Sequence, residues 1–227
     1  MNASASVPAA ASTSTRRPVC ATCQRPQATC LCAWVRPTQH PVEVVILQHP
    51  LEAGQAKGTA QLLHLSLPNS RLLVGEVFAE DLVLTPPHRQ TLLLYPALPD
   101  TPAAPPGDLL RRGWPLSSLR LVVPDGTWRK SRKLLHLNPW LAQLPRLSLD
   151  AVPASRYLIR KAHRPGQLST LEAVCAALAS LAPGPDGDAA RFEPLLAAFD
   201  GFVAQQLAHR PGVSSTARVD SPVRHRP

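Results

Sequence analysis

Short aliphatic segments alternate with amphipathic ones along most of the chain. The aliphatic segments are bounded by proline, glycine or asparagine, and they cover residues 42–48, 71–77, 91–95, 119–123 and 146–149. Apolar runs of this length are typical of parallel strands that are buried on both faces. The pattern therefore predicts five strands in an open, mostly parallel sheet.

Two segments near the C-terminus have helical spacing of their apolar residues. The first, 169–181, has Leu171, Val174, Cys175, Leu178 and Leu181 at i, i+3, i+4 and i+7 positions, and the second, 192–207, has Phe192, Leu195, Leu196, Phe199, Phe202 and Val203. This spacing predicts two amphipathic helices. Ser169 and Glu172 form the SxxE pattern of a capping box, so the first helix should begin there. Strands that alternate with helices predict an α/β fold, in which ligands bind at the carboxyl ends of the strands.

The composition divides the chain into four predicted regions. Residues 1–18 are small and polar, and residues 209–227 are rich in proline and arginine, so we predict a disordered leader and a disordered basic tail. Between them we predict a cysteine-rich module at 19–38 and an α/β domain at 39–208. The prolines within residues 96–113 oppose both helix and sheet, which predicts a loop between two core strands.

The chain is strongly basic, with 24 Lys and Arg against 15 Asp and Glu, a net charge of +9 and a pI near 10.1. Such an excess attracts polyanions, so nucleic acid is the leading candidate partner. A membrane partner is not expected, because no apolar run approaches the ~18 residues of a transmembrane helix. The leader has no continuous apolar stretch of the kind a secretory signal needs, and we expect a cytoplasmic protein.

Four of the five cysteines lie close together as CxxC followed by CxC: Cys20, Cys23, Cys30 and Cys32. This spacing favours a closed, tetrahedral structural zinc site with four thiolate ligands. The alternative is two disulfides, which would require an oxidising compartment. Cys175 lies on the apolar face of its predicted helix and is interpreted as a core residue.

The sequence VVPDGTWRKSRKLL joins a buried strand to a basic helix at Asp125, Thr127 and Trp128. Two interpretations are open. In one, Asp125 or Thr127 caps the helix, Trp128 packs in the core, and the following cations form a solvated face. In the other, Asp125 faces a ligand pocket, Trp128 forms its wall or a stacking surface, and the cations bind phosphates. These cations are Arg129, Lys130, Arg132 and Lys133.

A second basic segment precedes the predicted capping box. It contains Arg156, Arg160, Lys161, His163 and Arg164. A basic loop that ends at a helix N-terminus is suited to binding a carboxylate or a phosphate.

Several separated motifs occur in the order seen in DTW-domain proteins, which are named after the Asp, Thr and Trp that are Asp125, Thr127 and Trp128 here. They are the cysteine cluster, ILQHPLEAGQAKGTAQLLHLSLPNSRLLVGE, LLLYP, VVPDGTWRKSRKLLHLNPWL, LPRLSL and SRYLIRKAHRPGQLSTLEAV. The sequence resembles this family from residue 20 to residue 208. The family is similar to tRNA-uridine aminocarboxypropyltransferases, which move the 3-amino-3-carboxypropyl group of S-adenosylmethionine to N3 of a uridine, in bacterial members the variable-loop uridine. It is also related to SPOUT-type enzymes, which implies a SPOUT-like fold with a C-terminal trefoil knot.

The resemblance and the chemistry of this reaction imply roles for named residues. Asp125 is expected to remove the proton from uridine N3, with Thr127 and Trp128 beside it. Arg160 or Lys161 is expected to bind the donor carboxylate. Contacts with S-adenosylmethionine are expected from Tyr95, Pro96, Pro124, Asp125, Arg160, Lys161, Leu168, Ser169, Thr170 and Glu172. Contacts with tRNA are expected from Arg129, Lys130, Arg132, Lys133, Arg156 and Arg164.

Two other functions stay open as alternatives. One is a SPOUT-like RNA methyltransferase that uses the same donor, and the other is a zinc-containing RNA-binding protein without catalysis. The reaction products distinguish them, because aminocarboxypropyl transfer releases methylthioadenosine, methyl transfer releases S-adenosylhomocysteine, and a binding protein releases neither.

Overall fold

The structure is a computed structural model that describes residues 18–55, 57–97, 103–104, 108, 112–149, 155–156, 168–182 and 188–208. The predicted tail, and the predicted leader apart from Pro18, lie outside the described residues. So do three residues with predicted binding roles, Arg160, Lys161 and Arg164. In the described part of the chain, no helix is both long enough and apolar enough to cross a membrane.

In the part of the chain that the structure describes, six strands form the sheet: β1 (Glu43–Gln48), β2 (Ser70–Val74), β3 (Gln90–Leu94), β4 (Ala103–Ala104), β5 (Leu119–Asp125) and β6 (Arg146–Leu147). Their order is β2-β1-β5-β3-β6-β4, and each neighbouring pair of these strands is parallel. The predicted α/β fold with a parallel sheet is confirmed. Strand β5 lies between β1 and β3, so its carboxyl end is where the strand order changes direction, the usual ligand position in such sheets.

The strand predictions differ from the structure mainly at the ends of strands and at the sheet edge. Strand β2 stops at Val74, three residues before the predicted end, and β6 covers only two of its four predicted residues. Strand β4 falls within the segment 96–113 that was predicted to be a loop, so that prediction was incomplete. Pairing there is compatible with nearby prolines because an edge strand needs a partner on one side only.

The described residues include six α-helices that accompany the sheet: α1 (Ala60–Ser66), α2 (Glu80–Leu84), α3 (Trp128–Leu137), α4 (Pro139–Gln143), α5 (Thr170–Ser180) and α6 (Ala189–Ala208). Apolar residues of α1, α5 and α6 share one buried cluster with one face of the sheet, and those of α2, α3 and α4 share a second cluster with the other face. Successive residues of β1 alternate between the clusters, Val44 and Ile46 in the first, Val45 and Leu47 in the second. The two helices predicted from periodicity are α5 and most of α6.

Charged residues occupy the amino ends of the strands. The Glu43 carboxylate at the start of β1 lies 2.7 Å from Nε of Arg120, 3.0 Å from Nε of Arg71 and 3.3 Å from Nε of Arg89. Because a buried cation without a counter-charge is costly, Glu43 stabilises the packing of the strand that carries Arg120. The charged residues at the amino ends of the strands therefore form a structural ion network. The candidate site lies at the other end of the sheet, where the carboxyl ends of the strands meet.

The trefoil knot implied by the resemblance would involve the C-terminal part of the chain. Residues 150–154 and 157–167 of that part lie outside the described residues, so the knot stays a prediction.

Candidate active site and metal centre

The Asp125 carboxylate lies at the carboxyl end of β5 and is 6% exposed. In the sheet Asp125 pairs with Gln48, the last residue of β1, and the Gln48 amide Nε2 donates to Oδ2 at 2.9 Å. The hydroxyl of Thr170, at the start of α5, donates to Oδ1 at 2.5 Å. Two elements that are distant in sequence thus hold one carboxylate, and the structure brings together two predicted site residues, Asp125 and Thr170.

The turn after β5 agrees with one part of the first interpretation of this segment and contradicts another. Thr127 is the N-cap of α3, and its hydroxyl accepts from the backbone N–H of Lys130 at 3.4 Å. A Cβ at Gly126 would lie 3.0 Å from the Lys130 Cβ, so a side chain there would crowd the first turn. Trp128 is 47% exposed, and the interpretation that it packs in the core is wrong. The Thr127 side chain caps the helix, whereas the Asp125 side chain forms hydrogen bonds with Gln48 of β1 and Thr170 of α5.

Aromatic side chains form one side of this region. Trp128 meets Tyr95 edge-on, with ring centroids 5.8 Å apart and planes at 74°. Tyr95 directly follows β3 and is buried, whereas Pro96 after it is exposed. The Arg146 guanidinium carbon lies 5.4 Å from the Tyr95 ring centroid, and its Nη1 donates to the Pro96 carbonyl at 3.2 Å. Arg146 was not among the predicted site residues, although an arginine inside the apolar segment LPRLSL was the available signal.

The predicted capping box at the start of α5 is confirmed. The Glu172 backbone N–H donates to the Ser169 hydroxyl at 3.3 Å, and the Ser169 N–H donates to the Glu172 carboxylate at 2.8 Å. That carboxylate also accepts from the Ser155 hydroxyl and from the Arg156 N–H at 2.6 Å. Glu172 and Ser169 therefore position the N-terminus of the helix, and this places Thr170 against Asp125. Leu168 and Pro124, the other predicted contacts here, are half-buried.

The two lysines of the predicted phosphate-binding set are paired with carboxylates. Lys130 Nζ lies 2.7 Å from Glu52 Oε1, in the loop after β1, and Lys133 Nζ lies 2.7 Å from Glu76 Oε2, in the loop after β2. Glu76 also accepts from His49 Nε2 at 2.9 Å. The hydrogen bond from Lys133, with a smaller contribution from His49, lowers the pKa of Glu76. These ion pairs attach α3 to the two neighbouring loops.

The arginines of that set differ in their environments. Arg129 and Arg132 are exposed on α3, and neither forms an ion pair within the described part of the chain. The Arg156 guanidinium instead bonds to two acids of α6, Glu193 at 3.1 Å and Asp200 at 3.3 Å. These carboxylates, Glu193 foremost, raise the pKa of Arg156. Of the three, only Arg129 and Arg132 present an exposed guanidinium free of acidic neighbours among the described residues.

The four clustered cysteines form a candidate metal centre. Their sulfur atoms lie within 4.8 Å of one another, with Cys20 to Cys32 and Cys23 to Cys30 both at 3.7 Å. A tetrahedral ion with metal–sulfur distances of about 2.3 Å would hold its sulfurs about 3.8 Å apart, so the cluster fits zinc. All five cysteines of the chain are free thiols, which disagrees with the two-disulfide alternative.

Ionisation of these thiols depends on their surroundings. Backbone N–H groups of Cys23 and Thr22 lower the pKa of Cys20 to about 6, whereas burial raises the pKa of Cys32 to about 12. Four thiolates at these distances repel one another, so a bound cation is needed to keep all four ionised. The cluster could hold a metal such as zinc.

The cysteine segment is docked on the C-terminal helix α6. The Trp34 indole N–H donates to the Gln205 side chain at 2.8 Å, and the Gln205 amide donates to the Cys30 carbonyl at 3.3 Å. A Cβ at Gly201 would lie 2.1 Å from Trp34 Cζ3, so only glycine allows this approach. Leu31 joins the same buried cluster as α5 and α6. The cysteine cluster is thus packed against α6 and the buried cluster that includes α5.

The chain is similar to known proteins over most of its length. The DTW domain family matches residues 17–207. The chain is 34% identical to tRNA-uridine aminocarboxypropyltransferase 2 of Drosophila melanogaster over 75% of this chain and 69% of that protein, and 35% identical to the Mus musculus protein of the same name over 73% and 57%. It is 29% identical to tRNA-uridine aminocarboxypropyltransferase A of Arabidopsis thaliana over 76% and 75%.

The aligned region spans little more than half the length of the mouse protein. No solved structure is significantly similar to the chain. The family match extends from before the cysteine cluster into the last turn of α6, and it includes the motif formed by Asp125, Thr127 and Trp128. The chain therefore belongs to the DTW-domain family.

Proposed function

We propose that the protein transfers the 3-amino-3-carboxypropyl group of S-adenosylmethionine to N3 of a uridine in tRNA and releases methylthioadenosine. The observation that carries the proposal is the buried Asp125 carboxylate, which accepts hydrogen bonds from Gln48 and Thr170 beside the half-exposed Trp128 at the carboxyl end of β5. The names of the fly, mouse and Arabidopsis relatives support it. The expected target is a variable-loop uridine of a cytoplasmic tRNA.

Asp125 is the general base of the proposed reaction. Uridine N3 carries a proton, which passes to the Asp125 carboxylate as the N3 electron pair forms a bond to the terminal carbon of the aminocarboxypropyl group. The carbon–sulfur bond breaks, and its electron pair goes to sulfur, which leaves as the neutral thioether of methylthioadenosine. Gln48 and Thr170 keep the carboxylate in one orientation. The exposed face of Trp128 is available to stack on the uracil ring.

The donor is expected to bind along the neighbouring strand ends. Tyr95, Pro96, Pro124 and Leu168 to Thr170 would surround its adenosine, inside the knotted SPOUT-like site that the resemblance implies. Ser169 and Glu172 act by fixing the start of α5, since both are already bonded to each other. Residues 19–38 are proposed to bind structural zinc through their four cysteines.

A product assay tests this function directly. We expect the purified protein to convert S-adenosylmethionine and an unmodified tRNA transcript into equimolar methylthioadenosine and aminocarboxypropyluridine, measured by mass spectrometry of the nucleosides. A transcript with cytidine in place of the variable-loop uridine is the control and should yield neither product. Formation of S-adenosylhomocysteine would indicate a methyltransferase, and tRNA binding without either product would indicate a binding protein.

The arginines of α3 are expected to contribute more to tRNA affinity than its lysines do. Each phosphate contact adds close to one unit to the slope of log affinity against log salt concentration. In the double variant Arg129→Gln/Arg132→Gln we therefore expect this slope to flatten by about two units at most, with weaker binding of every tRNA. Affinity titrations at several salt concentrations measure it.

The lysine pair provides the matched control, because it removes the same charge from the same helix. In Lys130→Gln/Lys133→Gln the ion pairs to Glu52 and Glu76 are lost, so we expect a lower melting temperature and a smaller change in slope. An unchanged slope in the folded arginine variant would show that α3 presents only a solvated face.

A further inference from the structure

Arg146 carries a buried positive charge that no described acidic residue neutralises. The residue is 3% exposed, its Nη1 donates to the Pro96 carbonyl at 3.2 Å, and its Nε has no hydrogen-bond partner among the residues that the structure describes. The other deeply buried strand arginine, Arg120, donates to the Glu43 carboxylate at 2.7 Å. Because removing a guanidinium from water without a counter-charge is costly, Arg146 has the properties of a group that binds an anionic ligand.

The position of Arg146 connects it to the candidate active site. In the sheet it pairs with Leu93 of β3, and two residues later, directly after the end of β3, the chain reaches Tyr95. The guanidinium lies against the Tyr95 ring, and the edge contact of that ring with Trp128 leads to the Asp125 turn. A single aromatic ring thus separates the buried charge from the proposed base-binding surface.

We propose that Arg146 binds the α-carboxylate of the donor's amino acid end, an inference that rests on the transferase function proposed above. For a guanidinium this deeply buried, a small carboxylate on a short flexible chain is a better candidate ligand than a backbone phosphate of a folded RNA. The arginine fork can bind a carboxylate through two hydrogen bonds. This assigns to a strand residue the role that the resemblance suggested for Arg160 or Lys161.

Such an anchor would also determine which part of the donor reacts. Three different carbons are attached to the sulfonium, and an enzyme selects one of them by holding the donor in a fixed orientation. A carboxylate fixed at Arg146 places the amino acid end of the donor on the Tyr95 and Trp128 side of the site. This arrangement favours transfer of the aminocarboxypropyl group over transfer of the methyl group.

The test compares two ligands that differ only in this carboxylate, S-adenosylmethionine and decarboxylated S-adenosylmethionine. By calorimetry, we expect the wild-type protein to prefer S-adenosylmethionine by about 10- to 100-fold in dissociation constant, the value of one charge-assisted contact. In Arg146→Met the two ligands should bind equally, and affinity for methylthioadenosine should stay within about twofold of wild type. In Arg146→Lys, which keeps the charge but loses the fork, part of the preference should remain.

Arg112→Met is the matched control, because Arg112 also lies over an aromatic ring, at 5.2 Å from Trp114, but on the surface. It should keep the full preference. The inference would be overturned if the wild type bound S-adenosylmethionine and its decarboxylated form equally well, or if either Arg146 variant kept the wild-type preference. It would also be overturned if Arg146→Met lost affinity for methylthioadenosine to the same extent. A further contrary result would be an Arg146 variant that keeps the preference for S-adenosylmethionine but shows a smaller slope of log tRNA affinity against log salt concentration, because phosphate would then be the ligand of Arg146. Failure of the wild type to bind either S-adenosylmethionine or methylthioadenosine would instead refute the transferase function itself.

Discussion

Replacing Asp125 by asparagine is expected to lower the rate of group transfer by about two to four orders of magnitude, the usual contribution of a general base. The amide cannot accept the N3 proton, but it keeps the size of the carboxylate. Its carbonyl can still accept from Gln48, and its NH2 group can donate to the Thr170 hydroxyl, which accepts as well as donates. We therefore expect the fold, the tRNA affinity and the donor affinity to change by a few fold at most.

Single-turnover formation of methylthioadenosine measures this rate, with melting curves and tRNA titrations in parallel. The matched control is Asp81→Asn, the same change at an exposed residue whose carboxylate only accepts from the Leu82 N–H. It should turn over at the wild-type rate. Thr170→Val, which removes one hydrogen bond but keeps the base, should reduce the rate less than the Asp125 variant does. Wild-type turnover by Asp125→Asn would exclude Asp125 as the base.

The features that were predicted correctly are those that depend on short stretches of sequence. The aliphatic segments became strands, and those in the middle of the sheet, β1 and β5, are buried on both faces as predicted, whereas β2 at the edge is only partly buried. The capping box at Ser169 needs only residues within one helical turn. The four cysteine ligands lie within one short segment, so their proximity follows from the spacing. The position of Asp125 at the carboxyl end of β5 also follows from a local pattern, whereas its role as the base stays a prediction.

The hydrogen-bond partners of the Asp125 carboxylate could not be predicted, because they depend on strand order. Gln48 lies beside Asp125 only because β5 is inserted between β1 and β3, and no local pattern indicates which strand becomes the neighbour. The same holds for Glu52 and Glu76, whose loops receive the lysines of α3 across distances of 78 and 57 residues in sequence. The environment of Trp128 could not be predicted either, because it depends on contact with Tyr95, which lies at the end of a different strand.

Replacing Cys23 by serine is expected to remove zinc from the protein and to unfold the cysteine segment. Cys23 is 2% exposed and belongs to the buried cluster on the α5 and α6 face of the sheet, so loss of the ion would leave polar atoms in the core. Structural zinc sites contribute directly to folding free energy, and three remaining thiolates bind the ion more weakly. Because Trp34 and Gln205 connect this segment to α6, the packing of that helix should weaken too.

Metal analysis of protein purified without chelators should find one zinc ion per chain in the wild type and less in the variant, with a lower melting temperature. Cys175→Ala is the matched control, since Cys175 is buried in α5 and its pKa is raised to about 12 by that burial, which keeps it a neutral thiol. It should retain zinc fully, even if the small cavity lowers stability. Chelator should lower the melting temperature of the wild type and of Cys175→Ala, but not that of Cys23→Ser. Stoichiometric zinc in Cys23→Ser, or none in the wild type, would contradict a four-thiolate site and leave the cluster as packed thiols.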